Sequence, residues 1–352
     1  MTTVDDVRVR PLDLPLAAPF EISLGVRERA RNVLVEVETA SGTVGYGEGS
    51  PLPPVTGETQ ETVIATVRSL SSLLEAADLR NYRSLVADVR TAQPGMTAAH
   101  FALETALLDA YCRERGLALS ELFGGPPESI ETDLTVPIVS PEVASERAAA
   151  AAEEGFDQLK VKTGTSVAAD VERVVAVADA VPDAEITVDA NQGWTPKETA
   201  QFTEAALDRG VDLTMVEQPV SADDLSGLAR ARERCPVPVA ADESVFTATD
   251  ALAVVRAEAA DVINVKLGKS GLLGASAIAD VATAANVDLM VGCMTESAVG
   301  IHASAHVVAG FGAFEHVDLD GNRLLAEDVV QTPPGPTIDI EGPGHGVVPS
   351  VE

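Results

Sequence analysis

Two hydrophobic rhythms divide this chain. Near its start, VRVRPLDL, NVLVEVETA and TVGYGEG alternate apolar and polar residues with the period of two of half-buried strands, in an order that suits an antiparallel meander. SPLPPVTGET, rich in Pro, Gly and Thr, reads as a loop. ETVIATVRSLSSLLEAA and TAAHFALETALLDAYCRERG then place apolar residues three and four apart, as amphipathic helices do, with Gly116 where a C-terminal cap belongs. Residues 1–125 therefore read as an α+β unit.

From about residue 130 short apolar runs alternate with Ala-rich helical stretches. The runs are TDLTVPIV, FDQLKVK, EITVDA, DLTMVEQP, VPVAADES, DVINVKLG, VDLMVGC and FEHVDLD. Eight strands with helices between them predict an α/β fold with a parallel (β/α)8-type barrel over residues 126–320. The irregular segment 321–352 is expected to return to the N-terminal unit.

Charge narrows the partners. Asp and Glu number 55 against 24 Lys and Arg, a formal net charge of -31. Phosphate backbones and anionic membrane surfaces need a basic face, so neither nucleic acid nor membrane is an expected partner. The acids are spread along the chain and form no disordered tail; their excess points to a halophilic, high-salt cytoplasm where salt screens their repulsion, with an ordinary acidic cytosolic enzyme as the alternative. The three cysteines, Cys112, Cys235 and Cys293, form no disulfide framework and fit a reducing compartment. MTTVDDVRVR lacks the apolar centre of a signal peptide, and no run of 18 apolar residues could span a membrane. The expected location is cytoplasmic; a homo-oligomer is compatible with all of this.

Only five lysines occur: Lys160, Lys162, Lys197, Lys266 and Lys269. Lysine is therefore not surface filler here. Lys160 and Lys162 end the second barrel run, Asp189 the third, Glu217 the fourth, Asp242 the fifth and Lys266 the sixth. Successive steps are roughly one βα unit, so these charges should meet at the C-terminal mouth of the barrel, where such folds place their active sites. Three carboxylates on neighbouring strands make a hard-oxygen site suited to Mg²⁺, with Mn²⁺ as a substitute. Lys160 and Lys162 are two apart and share a face, so mutual repulsion, with desolvation and a nearby Mg²⁺, should lower a lysine toward the ~7–8 useful to a base. Strands two and six face each other across an eight-strand ring. Lys162 and Lys266 would then flank the α-carbon of a carboxylate substrate held on the metal, an arrangement for racemisation or epimerisation. The competing explanation is a structural ion-pair network.

At these residues the chain resembles the enolase superfamily, in its muconate-lactonising branch: KVKTG, DANQGW, VEQP, ADES and NVKLGKSG match its strand-end motifs in order and spacing. The resemblance implies a modified (β/α)7β barrel under a capping domain whose loops read the substrate. It implies Lys162 and Lys266 as the acid/base pair, Asp189, Glu217 and Asp242 as Mg²⁺ ligands, and Lys160, Asn191 and Glu243 as tuning groups. MVGCMTES and HVDLDG are most similar to the dipeptide epimerases. There Asp318 and Asp320 would bind the substrate ammonium, with Met294, Thr295, Gly25, Arg27 and Thr56 around the substrate. One departure stands out: family members acting on Ala-Glu carry an arginine after the first strand, and alignment on Pro19-Phe20 puts Gly25 there, with Arg27 and Arg29 as neighbours able to substitute. The implied partner is a small carboxylate, a dipeptide. Cycloisomerase, o-succinylbenzoate synthase, N-acylamino acid racemase and a non-catalytic binding protein are the alternatives; a sugar-acid dehydratase would place a histidine where Lys266 stands.

Other motifs have structural readings. Asp318 and Asp320 could be a D-x-D-G turn. His302 and His306 lie four apart on a helix but lack the Glu of H-E-x-x-H. Gly45, Gly47 and Gly49 run into a Pro-rich loop with no helix behind them, so a tight-turn use is expected, not a dinucleotide site.

Overall fold

The computed structural model describes residues 2–331 and 335–350. The three alternating segments form an antiparallel sheet in the order β1 (Val4–Ile22), β2 (Gly25–Thr39) and β3 (Val44–Gly49). Four helices follow: α1 (Pro53–Thr56), α2 (Gln60–Leu74), α3 (Tyr82–Ala92) and α4 (Thr97–Arg115). Helix α3 and the single turn α1 lie outside the segments read as helical from spacing. The predicted cap holds: Gly116 is left-handed (φ 67°) and ends α4. Val33, Val35 and Val37 of β2 pack with Val63 and Val67 of α2 and Leu103 and Leu107 of α4.

Gly45, Gly47 and Gly49 do not form a tight turn. They occupy one face of β3 against α4, and a Cβ on Gly47 would lie 2.1 Å from the Ala102 carbonyl oxygen. The helix absent from the local sequence arrives from fifty residues on, and the missing side chains let its backbone touch the sheet.

A two-residue strand β4 (Ile130–Glu131) precedes the barrel. The barrel runs β5 (Leu134–Val136), α5 (Pro141–Glu153), β6 (Gln158–Lys162), α6 (Val167–Ala180), β7 (Glu185–Asp189), α7 (Pro196–Asp208), β8 (Leu213–Glu217), α8 (Leu225–Arg234), β9 (Val239–Ala241), α9 (Ala248–Arg256), β10 (Val262–Lys266), α10 (Leu267–Ala285), β11 (Asp288–Gly292), α11 (Ala298–Phe311) and β12 (His316–Asp318). All eight barrel strands are parallel and ordered as in the chain. The ring is drawn shut where Asp133 N donates to the Val317 carbonyl at 3.1 Å. Six of the seven helices start at a side-chain cap: Ser140, Ser166, Thr195, Asp224, Thr247 and Ser297 each accept from a first-turn N–H. A short 3₁₀ turn, Gly321–Leu324, follows β12 in place of an eighth helix.

The C-terminal segment pairs β13 (Thr337–Ile338) with β4 and buries Leu325, Val329 and Val347 against Leu12, Leu14 and Leu34 of the N-terminal sheet. No helix among the described residues is long and apolar enough to cross a membrane.

Candidate active site

Strand register sets the site. Lys162, Asp189 and Glu217 are paired partners on β6, β7 and β8, and Lys266, Gly292 and Asp318 are paired partners on β10, β11 and β12. Asp242 follows the end of β9. Gly292 leaves room for its neighbour, since a Cβ there would stand 2.7 Å from Lys266 Cε. The structure thus gathers every strand-end charge named from sequence at one mouth of the barrel.

Lysines and carboxylates interleave there. Lys162 Nζ donates to Asp189 Oδ2 at 2.6 Å, and Lys266 Nζ to Asp242 Oδ2 at 2.7 Å. Lys160, wholly buried, reaches Glu217 Oε2 and Asp318 Oδ2 at 2.6 Å and Asp189 Oδ2 at 3.3 Å. Lys269 Nζ donates to Asp242 Oδ1 at 2.6 Å and to the Asp242 and Asn264 carbonyls. Asn264 Nδ2 donates to Glu217 Oε1 at 2.7 Å.

These contacts correct one expectation. Burial opposes the charge of Lys160 and Lys266, but Asp318, Glu217 and Asp189 around the first, and Asp242 and Glu217 around the second, outweigh it and raise both above the ordinary lysine range. At these two lysines the nearest carboxylates outweigh burial, whereas at Lys269 burial and the Lys266 charge lower the pKa despite Asp242. The carboxylates divide. Burial works against Asp189 and Asp242, yet their lysines hold both below the usual range. Burial and the Asp189 charge push Glu217 up to about 7, and burial with Asp242 pushes Glu243 up to about 8.

The donor set fits a hard divalent cation. Asp189, Glu217 and Asp242 are buried oxygens on consecutive strands. Glu217 Oε2 meets Lys160 out of line for a hydrogen bond, and Asn191 Oδ1 and Glu243 Oε2 are buried with no partner among the described residues. Asn191 is held here by its N–H to Asp189 Oδ1 (2.8 Å) and its Nδ2 to Glu243 Oε1 (3.3 Å).

A cavity of about 80 Å³ opens above these groups. Lys162, Asn191, Asp242, Glu243, Lys266, Met294, Thr295, Asp318 and Asp320 line it. Asp320 Oδ2 accepts from Thr135 N at 2.6 Å; burial and the Asp318 charge push this carboxyl up to about 6. The two aspartates therefore lie in the cavity wall, each with one protein partner, and do not form a surface turn. The outer wall is apolar, from Phe20, Ile22, Leu24, Leu52 and Val55, interrupted by Arg27. Burial lowers the Arg27 pKa, and no carboxylate pairs with it among the described residues. Gly25 sits at the exposed hairpin tip (φ 134°), outside the lining. Thr56 is also outside it: its hydroxyl donates to the Leu52 carbonyl and accepts from Leu52 N inside its own loop, and Val55 faces the cavity instead.

Lys269, Asn264 and the bond from Ser23 Oγ to the Asn191 carbonyl (2.8 Å) escaped the sequence reading. For Lys269 a signal existed, one lysine of five placed three residues after Lys266. His306 Nδ1 accepts from Ser120 N, a structural role. His302 lines a larger cavity of about 480 Å³ between α11, the turn after β12 and the C-terminal segment, with no lysine in its lining.

Two family models match the chain, "Mandelate racemase / muconate lactonizing enzyme, N-terminal domain" over residues 4–124 and "Enolase C-terminal domain-like" over 142–352. An L-Ala-D/L-Glu epimerase of Thermotoga maritima is 40% identical over 311 residues, 88% of this chain and 90% of its own. The substrate-liganded L-Ala-D/L-Glu epimerase of Bacillus subtilis superposes with a TM-score of 0.96 at 34% identity, covering 99% of this chain and 100% of that one. The dipeptide epimerase of Enterococcus faecalis V583, complexed with Mg and L-Leu-L-Tyr, gives 0.94 at 34% identity, covering 98% and 99%.

Proposed function

The chain belongs to the mandelate racemase / muconate lactonizing enzyme family, and from that membership we propose that it is a Mg²⁺-dependent dipeptide epimerase. The observation that carries the reading is the pair Lys162 and Lys266 on opposite barrel strands, with three carboxylates on the strands between them and Asp318 and Asp320 in the wall of the same cavity.

Asp189, Glu217 and Asp242 would hold Mg²⁺, or Mn²⁺ in its place. Bound there, the ion supplies the positive charge that favours the enediolate form of the substrate carboxylate. Lys162 and Lys266 are the acid/base pair. Asp242 and Glu217, with their charge shared with a cation, would stabilise the Lys266 ammonium less. One Nζ, as the free amine, then takes the α-proton from one face; the other, as ammonium, returns a proton to the opposite face, and the configuration inverts. Lys160 and Lys269 neutralise buried carboxylates, with Asn191 and Glu243 as further tuning groups. Asp318 and Asp320 take the substrate ammonium through charge-assisted hydrogen bonds. A free amino terminus gives these buried acids a partner, which favours a dipeptide over an N-acylated amino acid. Arg27, a cation with no carboxylate partner among the described residues in an otherwise apolar wall, supports an acidic side chain at that end, and Met294 and Thr295 complete the wall. The net charge of -31 and the free cysteines support a halophilic, cytoplasmic setting.

The test is a dipeptide panel, Ala-Glu and Ala-Leu included, incubated in deuterated buffer with Mg²⁺ and read by mass. Deuterium should enter one α-position of the accepted dipeptides. Incorporation only into N-acylamino acids, or into nothing, would overturn the reading.

A further inference from the structure

The segment Cys293–Ser297 joins β11 to α11 and supplies Met294 and Thr295 to the cavity wall, yet it has no regular structure of its own. Its polar groups are held by residues of the N-terminal sheet that do not line the cavity. Asn32 Nδ2 donates to the Thr295 carbonyl at 2.8 Å and to Glu48 Oε1 at 2.7 Å. Glu48 Oε1 and Oε2 both accept from Ser297 N at 3.0 Å; Oε2 also accepts from Ser297 Oγ at 2.5 Å and from Gly300 N at 3.2 Å. Ser50 Oγ donates to Glu296 Oε1 at 3.1 Å, the same oxygen that accepts from Met294 N. Asn32, Glu48, Ser50, Glu296 and Ser297 are all buried.

We propose that Glu48, with Asn32 and Ser50, is a positioning residue: the capping sheet fixes from behind the barrel segment that shapes the substrate wall. Glu48 suits the task chemically. It is a carboxyl group whose two oxygens accept at the N-terminus of α11, where backbone N–H groups lack partners inside the helix, and it comes from another part of the chain. Ser297, the helix's own cap, accepts from Val299 N with the same oxygen that donates to Glu48, so the two caps act in series. Four donors converge on one buried carboxylate, which narrows the positions the segment can take. Substrate selection then depends on strands β2 and β3 as well as on the hairpin and loop that touch substrate.

Two variants test this, Glu48→Gln and Asn32→Ala, each with two readouts. The first needs no turnover and stands apart from the epimerase reading. Cys293 lies in the segment and Cys235 at the far end of α8; both are partly exposed, so each reports on its own surroundings. Iodoacetamide labelling followed by peptide mass should show Cys293 reacting ~10-fold faster in either variant, with Cys235 unchanged, the scale expected for losing one charge-assisted hydrogen bond. The second rests on the proposed function. KM for the dipeptide substrate should rise ~10-fold with kcat within about twofold, since the wall binds substrate but does not move the proton. Unchanged Cys293 labelling in both variants, or equal acceleration of both cysteines in both variants, would overturn the positioning role. Wild-type enzyme that turns over no dipeptide would instead sink the functional reading and leave the labelling result intact.

Discussion

Replacing Lys266 with alanine separates catalysis from stability, because the structure supplies a substitute counterion. Lys266 Nζ lies 2.7 Å from Asp242 Oδ2 and 3.9 Å from Glu217 Oε1, in a buried setting where removing one partner of an ion pair usually costs about 3–5 kcal/mol. Asp242 keeps Lys269 at 2.6 Å, and Glu217 keeps Lys160 at 2.6 Å. No carboxylate is stranded, so the expected cost falls to ~1–3 kcal/mol, that of a charge-assisted hydrogen bond. Net epimerisation should fall by at least ~10²–10⁴, the usual loss for an acid/base group. Inversion needs removal on one face and delivery on the other, so the mutant should still exchange the α-proton of one epimer through Lys162 without inverting it. Lys162→Ala should show the complementary preference, with Asp189 retaining Lys160 at 3.3 Å. The assay follows each epimer separately in deuterated buffer by mass and chiral chromatography, beside a thermal melt. Epimerisation near the wild-type rate in either folded single mutant would refute the two-base assignment, as would equal exchange of both epimers by one mutant.

Four further outcomes are expected. EDTA should abolish activity and Mg²⁺ restore it, and Asp242→Asn should lose activity because an amide is a poorer ligand for a hard cation; full activity after chelation, measured by the exchange assay, contradicts the site. Asp318→Asn and Asp320→Asn should raise KM for dipeptides with a free amino terminus and change little for N-acetylated analogues; equal losses on both would redirect the search to acylamino acids. Thermal stability should rise with KCl into the molar range, where screening acts over ~3 Å; a melting temperature that is flat or falling with salt argues against a halophilic surface. Glu296, buried beside Glu48, is pushed up to about 8. The folded state therefore holds a proton that the unfolded chain releases near ordinary carboxylate pH, so its contribution is present in acid and is lost as pH rises through about 8. Glu296→Gln should flatten the fall in urea-denaturation stability between about pH 4.5 and about pH 8, and an unchanged slope there would contradict the buried protonated carboxyl.

The residues that end barrel strands were legible in the chain itself. A buried strand has no ordinary use for a terminal charge, and the βα repeat fixes which mouth those charges share. Lys160, Lys162, Asp189, Glu217, Asp242 and Lys266 could therefore be named from spacing and type, and the alternation of short apolar runs with helices gave the strand order. Asp318 and Asp320 needed the resemblance, since spacing alone allowed a turn.

What spacing could not reach are contacts between segments far apart in the chain. Tertiary packing put α4 behind the three glycines of β3, turned Val55 into the cavity in place of Thr56, and left Gly25 on a hairpin tip while Arg27 entered the wall. It also set the sign of the Lys160 shift. Sequence shows two lysines side by side, which predicts repulsion. The fold surrounds Lys160 with Asp189, Glu217 and Asp318 from three other strands, and Coulomb energy at 2.6–3.3 Å depends on those through-space neighbours. The joining of Glu48 to Ser297 across 249 residues is of the same kind: a buried carboxylate must find its donors, and only the folded chain decides which ones are within reach.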